Sequence, residues 1–217
     1  TISCLKKDFF RIICPALARS HNKSHILKNL TKKVKFEDVT EKYSCIGLFG
    51  PNSRKFLSEM LGDHFSNESF PFSRGKYIQI YDSKVWFQRL SYIGELGWEI
   101  YIPIKKTNSI FNKIKKLGKK YKLTYSGMHA LDILRLEKKF LHWGHDITSE
   151  NNPYEAGLSF AVNFKKDINF IGKEALINIK NKPLKKKLEL FSLRNKFQPG
   201  KPLILHDEPI YNKEKLV

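Results

Sequence analysis

The 217-residue sequence predicts an α+β fold of mixed, largely antiparallel sheets with covering helices. Short runs of β-branched and aromatic residues come in pairs separated by a few polar residues, and so tight a connection can only join antiparallel neighbours. Beside those pairs stand two segments of helical apolar spacing, one through Ile110, Phe111, Ile114 and Leu117 and one through Met128, Leu131 and Leu134. The chain is 41% apolar, enough for a substantial core, yet no apolar run reaches the roughly 18 to 20 residues of a membrane span.

Taken in order, Thr1 to Leu5 and Phe9 to Cys14 read as a hairpin around Lys6-Lys7-Asp8. Ser20 to Leu30 has helical spacing at Ile26, Leu27 and Leu30. Lys35 to Asp38 and Cys45 to Leu48 read as short strands, the second ending at Gly50-Pro51. Pro51 suits a first helical position, and Phe56, Leu57, Met60 and Leu61 then form an apolar face. Phe70 to Gly75 is a loop, and Tyr77 to Tyr81 with Val85 to Leu90 make a hairpin around Asp82-Ser83. Asn108 to Tyr121 is an amphipathic helix facing inward through Ile110, Phe111, Ile114 and Leu117. Ser126 to Phe140 is the second strong helix, expected to bury Met128, Leu131, Leu134 and Ile133, with His129, Asp132 and Leu136 on another face. Leu158 to Asn163 reads as a strand, Gly172 to Lys180 as a short helix and Asn181 to Lys187 as a basic linker. Leu188 to Leu193, Pro202 to His206 and Pro209 to Val217 read as strands of a separate β module. Residues 1–180 thus form one expected domain and residues 187–217 the start of a second.

The chain is organised around Gln88 to Pro103, whose alternation on both sides of Gly94-Glu95-Leu96-Gly97 predicts two strands joined by a tight turn. Gly94 and Gly97 permit positive φ, so Tyr92, Glu95 and Glu99 can come close together. In the second strand Trp98, Ile100 and Ile102 share one face and Glu99 and Tyr101 the other. Spacing alone leaves Glu99 either on a solvated strand face or in a binding site. A carboxylate, tyrosines and a histidine around a glycine hairpin suit a flat hydrogen-bonding heterocycle such as a pterin, since a carboxylate accepts two parallel N–H bonds and aromatic rings stack on the face.

Other chemistries lack their residues. There is no Gly-x-Gly-x-x-Gly, Walker loop or Gly-x-Ser-x-Gly elbow, and the seven histidines complete no metal-ligand pattern. The three cysteines form no C-x-x-C pair, which points to a reducing, cytoplasmic compartment. A net charge of +19 invites a nucleic-acid or acidic partner, but the lysines are scattered in short runs and the aromatics sit in apolar patterns, so nucleic acid is not the expected partner. A non-catalytic basic module for RNA or an acidic protein is the alternative from another class.

The phrases Ser91 to Glu99, Leu134-Arg135-Leu136-Glu137-Lys138, Trp143 to Ile147, Asn152 to Leu158 and Phe170 to Leu176, in this order, resemble the aminomethyltransferase family, which includes the glycine-cleavage T-protein. The tryptophan form of the hairpin and the Arg-Leu-Glu-Lys phrase resemble most the subgroup fused behind a flavin module, as in dimethylglycine and sarcosine dehydrogenases. The resemblance implies a T-protein-like domain that uses tetrahydrofolate to take a one-carbon unit from an N-methylated amine or aminomethyl donor, giving 5,10-methylenetetrahydrofolate. It implies FAD only in an upstream module. Tyr92 and Glu99 match the family's folate-contacting tyrosine and glutamate, with Glu95 beside them, while His129 stands where many members have arginine. The family's acid/base aspartate is expected upstream of Thr1, so the chain is expected to be a fragment, cut at both ends, that does not turn over alone. The strands after Lys187 would open a C-terminal β-barrel module.

Overall fold

The computed structural model describes residues 1–194, 200 and 208–216. Contacts divide the chain into two units, Thr1–Phe140 and Leu141–Val217.

The first unit is built on a four-stranded antiparallel sheet of order β3-β6-β5-β4, formed by β3 (Tyr43–Phe49), β4 (Gly75–Ile80), β5 (Ser83–Gln88) and β6 (Gly97–Pro103). A separate hairpin, β1 (Ile2–Lys6) and β2 (Phe9–Ile12), precedes it. The helices are α1 (Arg19–Asn29), α2 (Ser53–Leu61), α3 (Thr107–Gly118) and α4 (Met128–Glu137). One sheet face packs Leu48, Ile78, Ile80, Val85, Phe87, Trp98, Ile100 and Ile102 with Phe56, Leu57 and Met60 of α2 and Ile110 and Ile114 of α3. Burial of these side chains, about 1.5 to 3 kcal/mol each, makes this layer the main source of stability. Central β6 shows the expected parity, with Trp98, Ile100 and Ile102 inside the core and Glu99 and Tyr101 on the opposite face.

Several expectations are corrected. The segment after β5 is not a strand running into a tight Gly-x-x-Gly turn: β5 and β6 pair only at Trp86–Tyr101, Phe87–Ile100 and Gln88–Glu99, and Arg89 to Leu96 is a loop. Arg89 draws the chain off the sheet, since its backbone N–H bonds Arg74 O and its side chain bonds Phe70 O at 2.8 Å. Gly94 has φ +73°, whereas Gly97 lies within β6. Lys35 to Asp38 is irregular because Asp38 instead binds Thr40 and Arg19 through its side chain. Pro51 sits in the turn before α2, which begins at Ser53. On α4 the buried side chain is Arg135, held at 3% exposure by bonds to Asp132 and the Phe140 carbonyl, while Met128 and Ile133 are exposed.

In the second unit the expected strand at Leu158 to Asn163 is a 3-10 turn, Ser159–Ala161, because local bonds such as Val162 N–H to Ser159 O occupy its backbone. Helix α5 (Lys173–Ile179) begins as expected after Gly172. Leu188 to Leu193 is not a strand, and Pro202 to His206 lies outside the described residues. Within the expected strand Pro209 to Val217 the described residues form a small hairpin of β7 (Tyr211–Asn212) and β8 (Lys215–Leu216), and a barrel is not shown among the described residues. Among the described residues no helix is long and apolar enough to cross a membrane.

Candidate functional site

The face of the sheet opposite the core carries the polar chemistry, because pairing register stacks the outward residues in rows. One row runs Tyr77, Trp86, Tyr101, Cys45, and the next Gly75, Gln88, Glu99, Gly47. Glu99 is therefore central in the sheet, half-buried, with Gln88 on one side and Gly47 on the other. The Tyr101 hydroxyl donates to its carboxylate. Phe49 lies over Gly47 and Gly97: a Cβ on either would fall 2.4 or 2.3 Å from its ring. Those glycines leave room for the flat ring over the position paired with Glu99, where a side chain at either would have to push it away.

The β1–β2 hairpin covers part of this face through side chains. The Ser3 hydroxyl donates to Gln88 Oε1 at 2.7 Å, and Trp86 Nε1–H donates to the same oxygen at 3.2 Å. Arg11, the cross-strand partner of Ser3, places its guanidinium carbon 5.4 Å from the ring centres of both Tyr43 and Trp86 and 6.0 Å from that of Tyr101. One of its terminal nitrogens donates to the Tyr77 hydroxyl at 3.0 Å.

Electrostatics on this face favour protonated neutral groups around one carboxylate. Burial raises the Tyr101 phenol above its ordinary range, and the charges of Cys45 and Glu99 and the hydrogen bond to Glu99 push it further. Although Cys45 as a residue is exposed, desolvation of its sulfur pushes the thiol up to about 11, and the Glu99 charge adds to this. At neutral pH Tyr101 is thus a hydrogen-bond donor and Cys45 a thiol.

The residues singled out from sequence fall in different places. Glu99 is on the sheet face just described, and Tyr92 and Glu95 lie in the Arg89 to Leu96 loop, Tyr92 at 36% exposure. Gly94 in that loop packs on the stem of Lys138, just past α4, 2.4 Å from where a Cβ would stand. His129 is exposed in the first turn of α4. Trp98, behind Glu99 on the core face, is fully buried against Phe65 and Phe70, with the guanidinium carbons of Arg54 and Arg89 5.7 and 5.8 Å from its ring centre. Ser3, Arg11, Cys45, Phe49 and Gln88 were not expected at the site; their only sequence signal is parity within their strands, and register brings Cys45, Phe49 and Gln88 there while side-chain contacts bring Ser3 and Arg11. Among the described residues no three His, Cys, Asp or Glu side chains cluster as a metal site requires.

Comparison with known proteins gives the chain a family. The chain is 36% identical over 192 residues to human mitochondrial sarcosine dehydrogenase, covering 87% of this chain and 21% of that protein. It is 36% identical over 155 residues to mouse mitochondrial dimethylglycine dehydrogenase, covering 71% of this chain and 18% of that one. The chain therefore spans about a fifth of the length of these relatives. Among solved structures, the glycine cleavage system aminomethyltransferase T from Bartonella henselae matches with a TM-score of 0.54 and 27% identity, covering 64% of this chain and 36% of that one. The family model described as the GCVT N-terminal domain matches residues 1–166, most of the chain. The chain belongs to the GCVT N-terminal domain family, and its α+β fold is that of the aminomethyltransferase T-proteins.

Proposed function

We propose that this chain is the folate-binding part of a one-carbon transfer enzyme, acting on an N-methylated amine or aminomethyl donor within a dimethylglycine or sarcosine dehydrogenase-like protein. Residues 1–180 would form the folate domain, the segment from residue 187 would begin a second, and FAD would belong to a further module. Three sparse cysteines without a C-x-x-C pair suit a reducing compartment such as the cytoplasm.

The observation that carries this reading is the setting of Glu99, half-buried on the central strand among Phe49, Trp86 and Tyr101. The residues present fit a pterin. An ionised carboxylate has about four acceptor sites, so the Tyr101 hydroxyl leaves room for two parallel N–H bonds. The flat ring of Phe49 beside it supplies an aromatic surface. Tyr92, Glu95 and His129 would contact the ligand from the loop and from α4, His129 as a hydrogen-bonding imidazole without the fork of an arginine. Tetrahydrofolate, when bound, supplies the nitrogens that take up the one-carbon unit. Glu99 orients the heterocycle and Tyr101 holds the carboxylate in place.

Calorimetric titration of tetrahydrofolate into wild type and Glu99→Gln tests this. Glutamine keeps an acceptor for Tyr101 but turns an N–H donor toward the ligand's own donors. Loss of a charge-assisted bond is expected to weaken binding by about 10- to 150-fold with little change in melting temperature. Equal affinities would remove Glu99 from the site.

A further inference from the structure

We propose that Arg11 is a second ligand-binding residue of this face, donating an Nη1–H to the ring carbonyl of the heterocycle whose N–H groups Glu99 accepts; this rests on the folate reading above. Arg11 Nη1 is buried and makes no hydrogen bond. Among the described residues the guanidinium has no carboxylate partner. Three aromatic rings surround it and its other terminal nitrogen is taken by Tyr77. A buried donor with nothing to bond is costly, so an acceptor brought to it by a ligand gains more than one offered to a solvated arginine.

The location says which acceptor. Ser3 and Arg11 are cross-strand neighbours; Ser3 reaches the Gln88 of the Glu99 row, while Arg11 stands over Trp86 and Tyr101 of the adjacent row. The Tyr101 ring beside Arg11 carries the hydroxyl that bonds Glu99. Donor and carboxylate thus flank one side chain and complement an edge on which a carbonyl adjoins N–H groups. A 4-oxopterin has that edge, and its 4-amino analogue presents a donor where the carbonyl was. The hairpin forms its own two-stranded sheet and meets this face through side chains, so a ligand entering beside Glu99 disturbs no strand pairing between them.

The test is selectivity. Tetrahydrofolate and tetrahydroaminopterin, which differ in the pterin 4-position, are titrated into wild type, Arg11→Met and Arg11→Lys. The exchange also alters the N–H groups that face Glu99, but that effect is common to all three proteins, as is attraction of the anionic tail, so the change in the ratio of affinities isolates Arg11. Wild type is expected to prefer the 4-oxo ligand, and both variants to shrink that preference by about tenfold or more. Arg11→Lys keeps an apolar stem and a cation against the rings but lacks the fixed fork, so it decides the matter if Arg11→Met does not fold. A ratio unchanged in the folded variants makes Arg11 a pin for the hairpin and overturns the proposal while leaving the folate reading intact. Wild type binding neither ligand overturns both.

Discussion

At the scale of single residues, Cys45 reports the field of the site without touching the function assigned to it. It is exposed as a residue, yet its thiol is pushed up to about 11, first by desolvation of its sulfur and then by the Glu99 carboxylate. Alkylating reagents attack the thiolate, so at pH 8 Cys45 is expected to react roughly a hundredfold more slowly than an ordinary thiol of pKa about 8.5 to 9, with the rate climbing until the pH passes about 11. Removing the nearby negative charge favours the thiolate, so Glu99→Gln is expected to lower this midpoint and speed alkylation near pH 9. Peptide mass spectrometry of iodoacetamide-treated protein measures both; a rate indifferent to Glu99→Gln would place the carboxylate away from Cys45. On the sheet, the shared face of Glu99 and Tyr101 was legible because alternation along one strand assigns it. Arg11, Ser3 and Cys45 were not, because Cys45 reaches this face through the β3–β6 register and Ser3 and Arg11 through side-chain bonds from a separate hairpin, and neither leaves a mark in a single sequence.

At the scale of elements, α1 shows a helix with no core to hold it. It has no buried residue, Ile26 being only half-buried, and its ties include the ion pairs of Arg19 with Asp38 at 3.0 Å and Glu41 at 2.6 Å and of Lys23 with Asp38 at 3.7 Å. The Thr40 hydroxyl first, then Arg19 and the Thr40 amide, hold the Asp38 carboxyl well below its ordinary range. A depressed folded value means that this stabilisation is present above the ordinary carboxylate pKa and is lost as pH falls below it. Asp38→Asn at neutral pH is expected to speed amide hydrogen exchange in α1 and leave β3 and β6 protected; unchanged exchange in α1 would show that something other than this cluster anchors it. The same contrast explains which elements were legible. Helices α2 and α3, and hairpins β1–β2 and β4–β5, have an apolar face or tight turn written locally. The expected strand at Lys35 to Asp38 failed because the Asp38 side chain competes with the ladder for backbone groups, and α4 misled because Arg135, a charged residue, is its buried position. The loop from Arg89 to Leu96 failed for a tertiary reason, the capture of Arg89 by Phe70.

At the scale of the whole molecule, the four-stranded sheet of the first unit packs the core on one face and carries Glu99, the proposed ligand residue, on the other. A chain of net charge +19 also attracts any anion, folate included, whether or not it has a folate site. The two effects have opposite signs in one variant. Glu99→Gln removes a negative charge, so general attraction predicts tighter binding of an anionic ligand, whereas loss of the carboxylate acceptor predicts weaker binding. Salt separates them further. Screening lengths near 10 Å at about 0.1 M mean that added salt weakens the long-range attraction, and it does so nearly alike in both proteins, while a contact bond at a half-buried carboxylate is screened much less. Tetrahydrofolate titrations at low and at moderate salt are therefore expected to show falling affinity in both proteins with the variant weaker by about tenfold or more at each salt. A variant that binds as tightly as wild type or more tightly at low salt, with both losing binding as salt rises, would identify the interaction as the pull of the basic surface and withdraw Glu99 from the site.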